Sequence, residues 1–303
     1  MATDKAIKNI KKRLLFGGTF VLAMIFIMIS VSFSWLNNNP RATVSDIHLE
    51  VVEANNLLVK AEDSDNWTKV VKMDFKEGFE MASVCGDGKN FFKPILGHVD
   101  GSNDFEAVGY EAISGNLEDN GLYEFAFSCM VESSFTIYLD KESSLSPSED
   151  SENSLYGDYS SGHICAAMRI AFFQKIEDEY VLHCIWIPNS TTELLPSGEE
   201  IKVENGEIES GYIFISDESG ESTTIIETEG ASSGSKTVNG VTYVWGDLEE
   251  NLEIGTTEGN QQQYFKLIIW VDGNDRECHN ALMDGLVSVD LKILVDNKTE
   301  EGE

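Results

Sequence analysis

The chain opens with an apolar run, and a long region of alternating apolar and polar residues follows it. No charged residue lies between Leu14 and Leu36, and about 20 apolar residues cross a hydrocarbon core as a helix. Five basic residues lie within residues 5–13, whereas Arg41 is the first basic residue after the run. The positive-inside rule therefore places the N-terminus in the cytoplasm, and Trp35 falls at the outer interface. We predict a single-pass protein of the cell membrane whose remaining chain lies outside the cytoplasm.

A cleaved secretory leader is the alternative interpretation of this run. A basic region followed by apolar residues and by small residues such as Ser30, Ser32 and Ser34 also describes a signal peptide. However, the run exceeds the usual core of roughly 7 to 15 residues, and no A-x-A cleavage pattern follows it. We favour a retained anchor, and both interpretations export the rest of the chain.

The exported part has the residue pattern of β-strands. Val44, Ile47, Leu49 and Val51 occupy largely every second position, which is the period of half-buried strands. No long amphipathic helix pattern appears. The strands expected from this pattern are Thr43–Val52, Asn56–Val59, Gly121–Met130, Ser134–Leu139, Ile164–Gln174, Tyr180–Ile187, Tyr212–Ser216, Val241–Trp245, Tyr264–Val271 and Leu286–Val295.

About ten short strands without βαβ alternation predict an all-β fold, namely an antiparallel, jelly-roll-like β-sandwich. Two packed subdomains are the alternative. Two segments poor in apolar residues, Lys141–Gly162 and Ile215–Gly240, are expected to be long, exposed acidic loops. The predicted organisation is a cytoplasmic tail (1–13), a membrane span (14–36), a connector (37–43), the β-sandwich (44–296) and an acidic tail (297–303).

The charge of the chain restricts its partners. It contains 53 acidic and 21 basic residues, for a formal net charge of −32, and 42% of its residues are hydrophobic. A core can form from this content, and the acidic residues are interpreted as a solvated surface. So negative a protein repels polyanions, so we predict that it does not bind nucleic acid.

Motifs that carry catalysis were not found in the sequence. It lacks H-E-x-x-H, G-x-S-x-G, a P-loop and G-x-G-x-x-G. Cys278 and His279, and likewise His183 and Cys184, are adjacent, and neighbouring side chains on a strand point to opposite faces. We therefore predict no catalytic residues and no enzyme activity.

Metal sites and disulfides have weak support in the sequence. Five cysteines allow at most two intramolecular disulfides, and no C-x-x-C pair suggests a zinc site. Calcium is the one cofactor left open, because Asp272, Asp275 and Glu277 place carboxylates in a short turn, as does the segment 100–106. Neither turn has the spacing of an EF-hand loop, and ordinary turn chemistry explains both.

Three segments resemble a family of exported surface proteins of Gram-positive Firmicutes, the relatives of camelysin and TasA. The first is the Ser-Phe-Ser-Trp-Leu junction at 32–36, similar to the aromatic end of their leaders. The second combines 167–172 with a W-x-P-N turn, and the third is similar to a W-x-[ED]-G-x-D-x-[DE]-C signature at 270–278. The motif positions are Trp186, Pro188, Asn189, Trp270, Gly273, Asp275 and Cys278.

The resemblance implies a β-sandwich surface protein, which in some relatives is a fibre subunit assembled by strand exchange. Two features depart from the family. The span looks retained here, and no metal cluster matches the metalloprotease activity described for some camelysins. A structural account of the third motif is also open, in which Trp270 packs in the core, Gly273 gives the turn a positive φ, and Cys278 is buried or bridged.

These observations predict a membrane-anchored bacterial cell-surface protein with a structural, adhesive or biofilm-associated role. Its partners would be the membrane and other surface proteins, or further copies of itself through β-strand addition. A carbohydrate- or peptide-binding receptor is the first alternative, and an exported hydrolase is the second. Sequons at Asn66, Asn189 and Asn297 leave a eukaryotic type II protein open. The tryptophans that a receptor could expose are Trp67, Trp186, Trp245 and Trp270.

Overall fold

The computed structural model describes the chain from residue 41 to residue 296 with several gaps. The described residues are 41–53, 57–62, 64–73, 81–98, 105–148, 164–165, 167–188, 212–216, 222–227, 233–257, 259, 261–273, 278 and 285–296. The predicted span Leu14–Leu36 lies outside them. Within the described ranges, no helix is both long and apolar enough to cross a membrane.

Strands make up most of the described residues, which confirms the all-β class. A 3-10 turn at Glu118–Asn120 lies between the sixth and seventh strands. The strands are β1 (Arg41–Glu53), β2 (Leu58–Ala61), β3 (Val70–Met73), β4 (Met81–Gly86), β5 (Phe91–His98), β6 (Phe105–Ala112), β7 (Tyr123–Met130), β8 (Phe135–Leu139), β9 (Ser144–Pro147), β10 (Met168–Ile176), β11 (Glu179–Ile187), β12 (Tyr212–Ser216), β13 (Ser222–Glu227), β14 (Gly234–Val238), β15 (Val241–Trp245), β16 (Leu252–Thr257), β17 (Gln263–Asp272) and β18 (Gly285–Asp296).

Two groups of strands form the body of the fold. In the first sheet, β1 pairs with β18 and β3, β18 pairs with β8 and β9, and β8 pairs with β16. The second sheet has the order β2-β7-β17-β10-β11-β15-β14. Strand β4 pairs with both β1 and β17 and continues into the β5–β6 hairpin. Strands β12 and β13 form a separate hairpin.

The main hydrophobic core takes side chains from both sheets. Leu49 and Leu291 contribute from the first sheet, and Phe172 and Leu267 contribute from the second. This arrangement is consistent with a β-sandwich, in which alternate residues of facing sheets interdigitate.

A second core covers part of the opposite face of the second sheet. Phe173, Ile185 and Trp270 pack there with Phe91 and Leu122, which come from outside this sheet. Strands buried on both faces become apolar at nearly every position instead of alternating. The continuous apolar runs in β10, β11 and β17 follow from this double burial.

Several boundaries and directions differ from the predictions. The sheets are mixed, because β1–β18, β11–β15 and β17–β4 are parallel pairs. The first strand begins at Arg41, inside the predicted connector, and β10 begins at Met168 instead of Ile164. Parallel pairing joins segments distant in sequence, so local alternation carries no signal for it.

The two predicted acidic loops contain strands, so the prediction that they are loops throughout was wrong. Strand β9 lies in the first segment and pairs with β18, while β13 and β14 lie in the second. The prediction also omitted β3 to β6 and β16. Val238 of β14 packs against the second core, but Ser235, Lys236 and Thr237 are exposed, so ladder hydrogen bonds to β15 hold most of this strand. A hydrophobic pattern detects only burial.

Two glycines with positive φ illustrate two different requirements. Gly121 has φ +80°, and a Cβ there would lie 2.5 Å from the Cβ of Ala82. Gly240 has φ +82°, follows Asn239 with φ +52°, and has no neighbouring atom within 4 Å of a built Cβ. The Asn-Gly pair closes the β14–β15 hairpin in the manner of a type I′ turn. Glycine is therefore required at position 121 by both the positive φ and the lack of room for a Cβ, and at position 240 by the positive φ alone.

Candidate functional site

The second and third motif segments of the sequence lie side by side in the fold. Strand β10 pairs antiparallel with β17, and the register places Arg169 opposite Trp270. The third motif ends β17 and enters the following turn, where β4 pairs in parallel with Val271 and Asp272. Segments about 100 residues apart therefore build one cluster, which we call the motif cluster: Arg169, Trp270, Asp272, Gly273 and Cys278 with Ser83 and Cys85 of β4.

A buried ion pair occupies the centre of the motif cluster. The Nε–H of Arg169 donates to Oδ2 of Asp272 at 2.8 Å, and both side chains are almost completely buried. The indole Nε1–H of Trp270 donates to the same oxygen at 3.3 Å. The ring of Phe91 packs edge-on against Trp270, with centroids 5.2 Å apart. Because buried charges need partners, this carboxylate and this guanidinium depend on each other.

Gly273 allows the turn after β17 to approach β4 closely. Its N–H donates to the carbonyl oxygen of Val84 at 2.9 Å, and a Cβ at this position would lie 2.7 Å from Oγ of Ser83. The φ angle of Gly273 is not positive. The expectation of a positive φ was therefore wrong, and glycine is required here by space.

The two cysteines of the motif cluster sit on the other side of this turn. Sγ of Cys278 lies 3.2 Å from Oγ of Ser83, and Cys85 is two residues along the same strand. Burial, followed by the nearby carboxylate of Asp272, raises the pKa of Cys85 well above its usual range. Cys85 therefore stays a neutral thiol, and it is a poor nucleophile because the thiolate is the nucleophilic form of cysteine. Burial likewise raises the pKa of Tyr243, to about 12.

The W-x-P-N segment is structural where it is described. Trp186 is buried, and its Nε1–H donates to the carbonyl oxygen of Gly246 at 2.9 Å. Gly246 returns a backbone hydrogen bond to Ile187. These bonds tie the end of β11 to the turn after β15, and Pro188 is buried beside them. Asn189 lies outside the described residues.

Of the three candidate calcium ligands, Asp272 lies among the described residues. Asp272 has its Oδ2 engaged by Arg169 and Trp270, so a cation at this oxygen would compete with a guanidinium. Asp275 and Glu277 lie outside the described residues. Among the residues that are described, no group of three or more His, Cys, Asp or Glu could hold a metal ion. Calcium at this turn stays an open alternative to ordinary turn chemistry.

The structure gives the adjacent residues His183 and Cys184, which the sequence analysis rejected as a nucleophile pair, no catalytic arrangement. His183 is the extra residue of a β-bulge opposite Phe172 and Phe173, and burial lowers its pKa. The Cys184 thiol donates to the carbonyl oxygen of Glu253 at 3.6 Å, and burial raises its pKa. Because the Cys184 thiol donates to a backbone carbonyl oxygen and not to the imidazole of His183, the pair gives no support to covalent catalysis.

Burial separates the four tryptophans that a receptor could expose. Trp186, Trp245 and Trp270 are 2%, 6% and 0% exposed and belong to the two cores. Trp67 is half-buried at the surface, with Nζ of Lys60 over its ring at 5.2 Å. Of the four, only Trp67 can meet a ligand without unfolding.

Arg169 and Ser83 belong to the site but were not identified from the sequence as site residues. Arg169 did carry a signal, because a single cation within the buried run 168–173 needs a buried anion as its partner. Ser83 carried none, since its role arises only from the β4–β17 pairing.

Comparison with known proteins returns no match: no protein-family model, no curated protein and no solved structure matches this chain. The resemblance to camelysin and TasA relatives therefore stays a prediction.

Proposed function

We propose that this chain is a membrane-anchored bacterial cell-surface protein with a structural or adhesive role. In this proposal residues 14–36 anchor the chain, and the all-β unit lies outside the cytoplasm. The observation that carries it is the position of β1, the first described segment after the predicted span.

Strand β1 is central in the first sheet. It forms a parallel ladder with β18 that runs from Ala42 opposite Gly285 to Glu53 opposite Leu294. Its other edge pairs with β3 and β4. The side chains of Ile47 and Leu49 are fully buried in the main core. The segment nearest the membrane is thus fixed to the fold by hydrogen bonds on both edges and by core packing.

This arrangement suits a tether that bears force. A pull on the N-terminal end of β1 acts along the strand, and the ladder hydrogen bonds run across it. The hydrogen bonds between β1 and β18 are therefore loaded in shear and must break together. In a hairpin that is pulled open from its end, the hydrogen bonds would instead break one at a time. A protein that holds an extracellular body to a membrane benefits from this geometry.

Self-association by strand addition has a candidate edge in β14. Within the described residues β14 pairs with β15 alone, which makes its outer side a candidate for pairing with another strand. Lys236 is exposed in this strand, and a lysine on an edge limits indiscriminate pairing. Strand addition at β14 would therefore be selective.

Fractionation and intact mass of the native protein test the anchor. We expect the full chain in the membrane pellet after an alkaline wash, with residues 1–36 attached and the β unit accessible to external protease. Release of a chain that begins between Phe33 and Asn37 would contradict the anchor and would favour a secreted matrix subunit.

A charge substitution tests the β14 edge. We expect Lys236→Thr to increase self-association in sedimentation velocity, because it removes the charge that limits pairing. Lys141→Thr is the matched control, since Lys141 is exposed in the turn after β8, a strand of the first sheet. Equal behaviour of the two variants would show that β14 is not the associating edge.

A further inference from the structure

The outer face of the second sheet carries a group of lysines and aromatic residues that the tether role does not use. We call it the lysine–aromatic face: Lys60, Trp67, Lys175, Tyr180, Tyr264 and Lys266. It contains the cation–π contacts found among the described residues. Nζ of Lys60 lies 5.2 Å from the Trp67 ring centroid, Nζ of Lys175 lies 5.7 Å from Tyr264, and Nζ of Lys266 lies 4.7 Å from Tyr180 and 5.3 Å from Phe173.

The register of the sheet places these residues on one face. Val59, Phe265 and Leu267 point into the main core, so Lys60, Tyr264 and Lys266 point the opposite way. Lys60 and Tyr264 both pair with Ser128 of β7. Lys175 pairs with Tyr180. The face therefore crosses the five adjacent strands β2, β7, β17, β10 and β11.

This part of the outer face is open to solvent. Tyr264 is 44% exposed, and the lysines, Trp67 and Tyr180 are half-buried. Four strand spacings of about 4.8 Å give the face a width of about 19 Å. Tyr264 and Tyr180 lie two strands apart, roughly 10 Å. A surface of this width can hold several sugar rings in an extended strand.

The charges of the face select the kind of ligand. Glu124 accepts a hydrogen bond from Nζ of Lys266 at 3.3 Å, and Glu62 and Glu124 are both near enough to Tyr180 to help burial raise its pKa. Three lysines thus face two carboxylates. The net charge of −32 opposes a polyanion at long range, and the lysines oppose a polycation at contact. A ligand without net charge avoids both penalties.

From this geometry we propose that the lysine–aromatic face binds an uncharged polysaccharide strand. Each lysine lies over one face of its ring, and the opposite, electron-rich face of Trp67, Tyr180 or Tyr264 attracts the C–H face of a sugar ring. The lysine, glutamate and tyrosine groups exchange hydrogen bonds with sugar hydroxyls. Because the lysines rest on rings, their side chains are partly ordered before binding, which lowers the entropic cost of association.

Calorimetric titration of the full chain in detergent micelles tests this binding. The probes are chitohexaose and cellohexaose as neutral ligands, with alginate as the acidic comparison. We expect at least one neutral hexasaccharide to bind, with an affinity that changes little as salt is raised. Tyr264→Ala and Trp67→Ala should each weaken binding by about tenfold to thirtyfold.

Val108→Ala provides the matched control, because Val108 is 66% exposed on β6 and lies outside the lysine–aromatic face. It should leave the affinity unchanged. Unfolding curves establish that each variant is folded, and Tyr264→Ala is the decisive variant because its side chain is the most exposed. Failure of both neutral probes to bind, full binding by Tyr264→Ala, or preference for alginate would overturn the proposal. None of these outcomes depends on whether the chain is anchored.

Discussion

The buried ion pair between Arg169 and Asp272 supports a quantitative prediction. Its side chains are 4% and 1% exposed, so removal of either one takes the ion-pair partner away from a buried charge. A change of this kind costs about 3 to 5 kcal/mol. We therefore expect Arg169→Met and Asp272→Leu each to lower the free energy of unfolding by that amount.

A double variant, in which both Arg169 and Asp272 are replaced, distinguishes the cost of a buried charge without its ion-pair partner from the cost of lost packing. Replacement of both members by apolar groups of similar volume leaves no charge behind and is often close to neutral. The indole N–H of Trp270 would still lose its acceptor, which costs about 1 to 3 kcal/mol. We expect Arg169→Met/Asp272→Leu to be more stable than either single variant.

Equilibrium unfolding in urea measures these effects, with an unchanged slope required for the comparison. An exposed pair supplies the control. Nζ of Lys292 lies 3.0 Å from Oε2 of Glu142 at the surface, and Glu142→Gln should change stability by less than about 1 kcal/mol. Additive single effects, or a loss below about 1 kcal/mol for Asp272→Leu, would refute the account of a coupled buried pair.

Three further predictions concern single groups in the fold. In urea unfolding, Gly121→Ala should lower the free energy of unfolding by about 2 to 5 kcal/mol, because the alanine would combine a positive φ with a steric clash. Gly240→Ala should lower it by only about 1 to 2 kcal/mol, because only the positive φ is unfavourable there. Equal losses for the two variants would contradict this. Burial lowers the pKa of His183 in the folded state, so the unfolded state binds more protons just below pH 6.5. The contribution of neutral His183 to the free energy of unfolding is therefore complete above pH 6.5 and is lost as the pH falls. We expect the difference in unfolding free energy between the natural chain and His183→Gln to shrink in acid. A difference that does not change with pH would contradict this. In native alkylation followed by mass spectrometry, half-buried Cys278 should react before buried Cys184, and the reverse order would contradict the burial.

The ion pair also explains how the register of β10 on β17 is specified. Side chains alternate between the two cores, so a slip of one residue would move Arg169 into the main core without its anion. The buried pair therefore disfavours slipped registers in a stretch where apolar residues occupy both faces. We infer that specificity of strand pairing, more than net stability, is its contribution.

The sequence by itself determined the position of most buried strands. Alternation and apolar runs located β12 and β15 with the correct bounds, and they placed β7, β8, β11, β17 and β18 within about two residues. The same pattern indicated the all-β class. These predictions worked because the hydrophobic effect acts on each side chain according to its own burial, which a local window of sequence records.

The tertiary structure decided the pairings that are not local. The parallel ladder of β1 with β18, the polar edge strand β14, and the contact of Arg169 with Asp272 all join segments whose own sequence does not identify a partner. The lysine–aromatic face likewise exists only because five strands lie in one order. Hydrogen-bond ladders are chemically alike in every strand, so the choice of neighbour depends on the packing of the whole core. The sequence thus determined most of the buried strands, and the fold determined which of them meet.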